Sequence, residues 1–309
     1  MKVSLDSITA YKVAAAAARY VPRPISEKAV SAGALLASLL AGDRRVIIER
    51  NIQRASDRPL TAKEKRTAVA RTFVSYGRYY LDSFRLPSLS PKTVDDGFRH
   101  QGFHHITDAL DEGNGCILVL PHLGGWEWAG FWLTGVHGLS VTAVVESLEP
   151  PELFDWFKSF RESLGMQIVP VGLDARSVIL DALKENAVVC LLADRIVDGA
   201  TGIEVDFFDE RTLLPAGPAI IGMRTGVPIL PTAVYFDGDY HSAVVRPPIS
   251  LKREGKFRDD VQRASQDLAD ELEYLIRKAP EQWHVLQPGW PSDFRALGRK
   301  VPEKLRSLR

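Results

Sequence analysis

Two cysteines in 309 residues exclude a disulfide framework and a cysteine-based metal set. Cys116 and Cys190 each lie inside an apolar run, Cys-Ile-Leu-Val-Leu and Val-Val-Cys-Leu-Leu, and read as small buried hydrophobes of a chain in a reducing compartment. Net charge is missing too. The 39 Lys and Arg balance 39 Asp and Glu, which disfavours a globally basic nucleic-acid binder and an acidic disordered chain. No apolar run spans a bilayer: the longest, residues 29–42, has 14 residues where a spanning helix needs about 20. Lys12 and Arg19 bracket the alanine run 14–18, so the N-terminal stretch is a poor signal peptide. Neither a Gly-x-Gly-x-x-Gly turn nor a P-loop occurs, which leaves nucleotide-dependent redox and kinase chemistry unsupported. There is no Gly-x-Ser-x-Gly elbow, which counts against a serine hydrolase. His100, His104 and His105 lack the Cys or acidic partners of a metal site.

What is present is unevenly spread. Residues 1–71 carry 14 basic and 6 acidic side chains, residues 295–309 carry 6 and 1, and the body between them carries 19 and 32. Basic ends on an acidic body suit an anionic partner, either a phospholipid surface or a phosphorylated ligand. Val13, Ala17, Tyr20 and Val21 can share one helix face with Lys12 and Arg19 toward its edge. Such a helix either lies in a membrane interface or packs as an ordinary helix.

Residues 7–112 read as mostly helical, with Asp6 or Ser7, Ser26 and Thr61 as expected caps and Thr61-Ala-Lys-Glu64 at capping-box spacing. Tyr76, Tyr79, Tyr80 and Phe84 recur at helical intervals and are expected in the core. Beyond residue 113 the texture changes. Strands are expected at 116–120, 140–145, 167–171, 187–193, 227–236 and 243–248. Helices are expected near 125–135, 152–164, 174–186, 216–225 and 258–279. This alternation predicts an α/β fold: a single domain with a central mixed β-sheet flanked by helices and a helical N-terminal third. Its parts are the helical segment 1–112, an α/β core 113–290 and a basic tail 291–309. Chemistry is expected at the carboxyl ends of the strands.

The most informative stretch is Leu118-Val-Leu-Pro-His122-Leu-Gly-Gly-Trp-Glu127. An apolar strand ends, a histidine follows, and two glycines lead into a helix. A histidine there can act as a base near neutral pH. Glu127 is five residues on, about 140° out of phase on a regular helix, so it approaches His122 only if Gly124 and Gly125 bend the chain. Trp126, Trp128, Phe131 and Trp132 cluster next to the motif and can line an apolar groove or pack in the core. His284 reads as a packed core histidine.

His-x4-Glu after an apolar strand resembles the glycerolipid and lysophospholipid acyltransferases. The longer pattern is similar to the branch that holds lipid A lauroyl/myristoyl transferases and, more closely, phosphatidylinositol mannoside acyltransferases. It rests on Pro121-His-Leu-Gly-Gly-Trp-Glu-Trp-Ala-Gly130, Phe160-Arg-Glu-Ser-Leu-Gly165, Leu191-Leu-Ala-Asp-Arg195, Gly202-Ile-Glu-Val-Asp-Phe-Phe208, Leu214-Pro-Ala-Gly-Pro-Ala219 and Trp283-His-Val-Leu-Gln-Pro288. The resemblance implies a monotopic enzyme on the cytoplasmic face of the inner membrane. It would move a fatty acyl group from acyl-CoA to a sugar hydroxyl of a membrane glycolipid, with no cofactor and no metal.

His122 would be the general base, and Asp194 matches the acid that orients it. Arg161 matches an arginine near the site, and Glu146 is expected to hold it. Arg195 is expected to meet a CoA phosphate. Thr201 and Arg224 fall where the family contacts acyl-CoA, although Thr201 lies in a loop one residue longer here. Glu204 and Asp206 are expected at a strand edge or in a loop. Two positions depart from the mannoside branch, which has Asp where Glu127 stands and Glu where Asp194 stands. The lipid A branch does have Glu at the first. A lipid A-type acyltransferase and a lipid esterase or thioesterase are the competing expectations.

Overall fold

A computed structural model describes residues 5–172, 174–306 and 308. The chain opens with α1 (Leu5–Tyr20), α2 (Arg23–Leu40), α3 (Asp43–Arg54), α4 (Ala62–Arg85) and α5 (Pro91–Asp96). Then follow β1 (Phe98–Gln101), α6 (His104–Asp111), β2 (Cys116–Leu120), α7 (Trp126–Phe131), β3 (Val141–Val145), α8 (Pro151–Glu162), β4 (Met166–Pro170), α9 (Ala175–Lys184) and β5 (Val188–Leu192). The remainder is β6 (Gly202–Phe207), β7 (Glu210–Pro215), α10 (Gly217–Thr225), β8 (Ile229–Asp237), β9 (Tyr240–Val245), α11 (Phe257–Arg277), α12 (Pro291–Ala296) and α13 (Glu303–Arg306).

Seven strands form one sheet in the order β1-β9-β8-β2-β5-β3-β4. All neighbours are parallel except β8 and β9, so β1 and β9 run against the other five and the sheet is mixed. The expected α/β architecture with a helical N-terminal region is the observed one. β2 shows why its sequence is unbroken apolar. Cys116, Leu118 and Leu120 enter the core on one face, Ile117 and Val119 the core on the other. A strand covered by helices on both faces buries both sets of its alternating side chains.

Several local expectations are corrected. Asp6 and Ser7 lie within α1 rather than before it. Ser26 does not cap α2, which already starts at Arg23 with Pro22 before it; the Ser26 hydroxyl donates to the Arg23 carbonyl at 3.0 Å instead. Prolines 22 and 24 start this helix because a first-turn proline forfeits no intrahelical bond. Thr61 and Glu64 do form the capping box of α4. Residues 98–101 are a short edge strand inside the segment expected to be helical. Glu204 and Asp206 do lie on an edge strand, in an antiparallel hairpin, β6–β7, outside the main sheet. The basic C-terminal stretch is fastened: buried Asp293 accepts from Arg50 at 2.6 Å and from Arg54 at 2.7 Å.

Among the described residues no single helix is long and apolar enough to cross a membrane. Yet α1 and α2 leave large apolar side chains in solvent. Val13, Tyr20, Ile25, Leu35, Leu36, Leu39 and Leu40 are exposed, Tyr20 by 87% and Leu40 by 78%. On α1 the inward residues include Tyr11, Ala15 and Ala18, so the face carrying Val13, Ala17 and Tyr20 is the free one.

Candidate active site

β2 and β5 are neighbours in perfect register, Leu120 opposite Leu192. His122 and Asp194 each come two residues after those partners, so both emerge at the same edge of the sheet although 72 positions apart. His122 Nδ1 lies 2.5 Å from Asp194 Oδ1, and the His122 amide donates to Oδ2 at 2.8 Å. The Trp283 indole N–H also donates to Oδ2, at 2.7 Å. A carboxylate only accepts, so the proton of a neutral His122 sits on Nδ1 and Nε2 keeps its lone pair. Among the described residues no protein group is hydrogen-bonded to Nε2. Burial pushes the Asp194 carboxyl upward, but the His122 charge and three donated hydrogen bonds outweigh it and hold it below its ordinary value.

Two contacts fix the backbone that carries His122. Gly124 has φ +58, and a Cβ there would collide with the Val234 carbonyl oxygen, so only glycine allows this turn against β8. The stretch 282–284 pairs alongside it: the His284 amide donates to the His122 carbonyl at 2.7 Å and the Gly124 amide to the Gln282 carbonyl at 3.2 Å. His284 is the packed histidine expected. Its Nε2 meets Ser75 Oγ at 2.8 Å, and burial, with the His122 charge second, drives its pKa down to about 3.

Glu127 is placed elsewhere than beside the imidazole. It is 1% exposed. Its Oε1 accepts from the Tyr79 hydroxyl at 2.6 Å and from Arg161 Nη2 at 3.1 Å, while Ser83 Oγ donates to Oε2 at 3.4 Å. The out-of-phase spacing directs the carboxylate to α4 and α8, whereas the histidine turns to β5. Glu127 therefore holds Arg161, where Glu146 was expected to. Glu146 is instead paired with Arg195, so neither matches its expected partner. Burial opposes a charged Arg161, but the Glu127 carboxylate prevails and keeps its pKa raised. Among the described residues no group is hydrogen-bonded to the buried Arg161 Nε. The guanidinium sits 4.9 Å from the Trp126 ring centre.

These groups surround a cavity of about 490 Å³. His122, Glu146, Arg161 and Arg195 supply its polar wall; Tyr11, Tyr76, Tyr80, Trp126, Leu153 and Phe157 supply an aromatic and apolar one. The tyrosines expected in the core thus line the cavity, with Phe84 alone of that stripe fully buried. They went unrecognised because a helical stripe looks the same whether it faces a packed core or a void. Of the tryptophans only Trp126 reaches the cavity. Trp128 stacks on buried His241 at 4.1 Å, Trp132 packs on Phe98 at 4.8 Å, and Phe131 rests against the same core.

A second chamber of about 270 Å³ contains Asp194, Thr212, Trp290 and Lys304 and shares Arg195 and Gln287 with the first. Thr201 and Arg224 are not brought to either. Thr201 lines a separate depression of about 640 Å³ between the β6–β7 hairpin and α11, larger but holding none of His122, Glu127 and Asp194. Arg224 lies in the last turn of α10 with its guanidinium 5.4 Å from the Phe257 ring. Residues that the sequence did not single out for the site are Tyr79, Ser83 and Trp283. Only the last had a signal, as part of a quoted motif.

With this geometry established, comparison with known proteins is specific. The family profile described as "Bacterial lipid A biosynthesis acyltransferase" matches residues 5–292. A phosphatidylinositol mannoside acyltransferase of Mycolicibacterium smegmatis is 33% identical over 279 residues, covering 89% of this chain and 88% of its own. Proteins of the same name from two strains of Mycobacterium tuberculosis are 39% identical over 225 residues, covering 71% of this chain and 69% of theirs. An acid-paired histidine at a cavity and a match along nearly the whole sequence agree: the chain belongs to the bacterial lipid A biosynthesis acyltransferase family and is an enzyme that transfers acyl groups.

Proposed function

We propose that this chain moves a fatty acyl group from acyl-CoA to a sugar hydroxyl of a membrane glycolipid, a phosphatidylinositol mannoside in the first instance. The observation that carries the reading is the His122–Asp194 pair, its Nε2 unbonded among the described residues, on a cavity that is polar on one side and aromatic on the other. Nε2 takes the proton of the acceptor hydroxyl as its oxygen attacks the thioester carbonyl. The carbonyl carbon–sulfur bond then breaks, and the CoA thiolate leaves with the proton returned by the imidazolium. Asp194 holds the ring in the required tautomer and stabilises the transient cation. Arg161, anchored by Glu127, lines this cavity, and its guanidinium suits an oxygen of either substrate. The aromatic wall suits the acyl chain, each buried methylene contributing about 0.8 kcal/mol. Glu127, the residue of the lipid A branch at that position, supports a lipid A-type acceptor as the second reading.

Purified protein with acyl-labelled palmitoyl-CoA is expected to release CoA only when a mannosylated phosphatidylinositol is added, the label appearing in a product one acyl chain heavier. Equal CoA release without acceptor, with free fatty acid as product, would replace the transferase by a thioesterase. Transfer to a lipid A precursor alone would select the second reading.

The exposed apolar face of α1 and α2, beside the basic side chains of residues 1–71, is proposed as the contact with an anionic membrane, on the face where CoA thioesters are available. Sedimentation with anionic vesicles is expected to exceed that with zwitterionic ones. Leu36→Glu with Leu39→Glu should weaken binding by roughly tenfold or more, as apolar area is lost and like charge is added. Unaltered sedimentation of the double variant would place the contact elsewhere.

A further inference from the structure

We propose that Trp283 is a positioning residue for acyl transfer, its indole N–H fixing Asp194 in the orientation that serves His122; this rests on the acyl-transfer reading above. Asp194 is fully buried and has three donors: the His122 ring at Oδ1, and the His122 amide and the Trp283 indole together at Oδ2. Without Trp283, Oδ2 would keep one donor, and that donor belongs to the same residue as the ring at Oδ1. The carboxylate could then rock about the His122 backbone and imidazole as a unit. The indole ties it to a different part of the chain.

That tie is rigid. Trp283 is 2% exposed and its ring is enclosed by Phe207, Phe208 and Trp290, with centroids 6.2, 5.4 and 6.3 Å away. Its backbone is bridged to Leu123, the residue after His122. One residue thus holds the acid through its side chain and the strand-to-helix turn of the base through its main chain. A carboxylate already aligned needs no reorganisation when the imidazolium forms. The other ionisable ring bonded into this turn, His284, is kept neutral by burial and adds no charge to the pair.

The clean test replaces the N–H and nothing else: β-(3-benzothienyl)alanine at position 283, with Trp283→Phe as the genetically encoded counterpart. Activity is read as acceptor-dependent CoA release from palmitoyl-CoA. kcat is expected to fall about ten- to a hundredfold, as for loss of one hydrogen bond to a charged group, with KM for palmitoyl-CoA within about twofold. The donated N–H stabilises the unprotonated pair relative to the protonated one, so its removal raises the first apparent pKa of the pair. The acid limb of the kcat profile should therefore move to higher pH. Wild-type kcat, a loss confined to KM, or a lowered kcat with an unmoved limb would each overturn the inference. If Trp283→Phe does not fold, the benzothienyl variant, which keeps ring shape and packing, decides alone. An active His122→Ala enzyme would instead remove the dyad reading itself, an outcome distinct from failure at Trp283.

Discussion

Replacing His122 by alanine is expected to lower acyl transfer by about 10²–10⁴-fold while leaving the fold intact. The side chain is 26% exposed and makes one hydrogen bond, to Asp194, so its loss opens no large cavity. Unchanged circular dichroism beside absent product would be the confirming pair. Asp194→Asn sharpens the test. At the Oδ2 position two N–H donors converge, from the His122 amide and Trp283. An asparagine must therefore turn its oxygen there and present its NH₂ to Nδ1. That forces the imidazole proton onto Nε2, the nitrogen required as base, and a comparable loss is expected although size and packing are conserved. Substantial transfer by either variant would mean that the proton leaves by another route.

The second large effect concerns the Glu127–Arg161 pair. Both side chains are withdrawn from water, at 1% and 12% exposure. Arg161→Met leaves a buried carboxylate with only the Tyr79 and Ser83 hydroxyls. An uncompensated buried charge costs about 3–5 kcal/mol. For a chain of this size that is a fall in melting temperature of roughly 5–8 °C. Removing both charges, with Glu127→Gln and Arg161→Met, should recover much of the stability, since the desolvation cost of both ions disappears with them. Activity should stay low, because the N–H donors of Arg161 are gone from the cavity. Thermal unfolding of the two single variants and the double variant gives the coupling directly. An Arg161→Met protein as stable as the parent would show the pair to be dispensable.

Much of the scaffold was legible. The fully buried strands announced themselves as short apolar runs, and 116–120 is β2 to the residue. Thr61 and Glu64 cap α4 as their spacing foretold, because a capping box involves only four consecutive residues. Ser26 misled because a cap also depends on what precedes it, and Pro22 and Pro24 had already started that helix. The hairpin β6–β7 was obscured by charged residues alternating on an exposed face. His122 stood out as a histidine between a strand and a glycine turn. Asp194 did not: without the family resemblance, nothing in Leu-Leu-Ala-Asp-Arg says which histidine it meets.

Composition and pattern by themselves determined the α/β class, the strand that leads into Pro121-His122 and the glycine turn behind it. These depend on side-chain periodicity and backbone freedom within a few residues. Strand order was left to the tertiary structure. β5 pairs with β2 rather than following β4 across the sheet, and this crossover alone brings Asp194 to His122. Partner choice among the charges was decided there as well. Arg161 meets Glu127 because α8 and α7 face each other at one end of the cavity, and Arg195 meets Glu146 because they follow β5 and β3, which are neighbours in the sheet. An ion pair is set by which elements lie side by side, and that follows from strand order and from the packing of whole helix faces, which no short stretch of sequence contains.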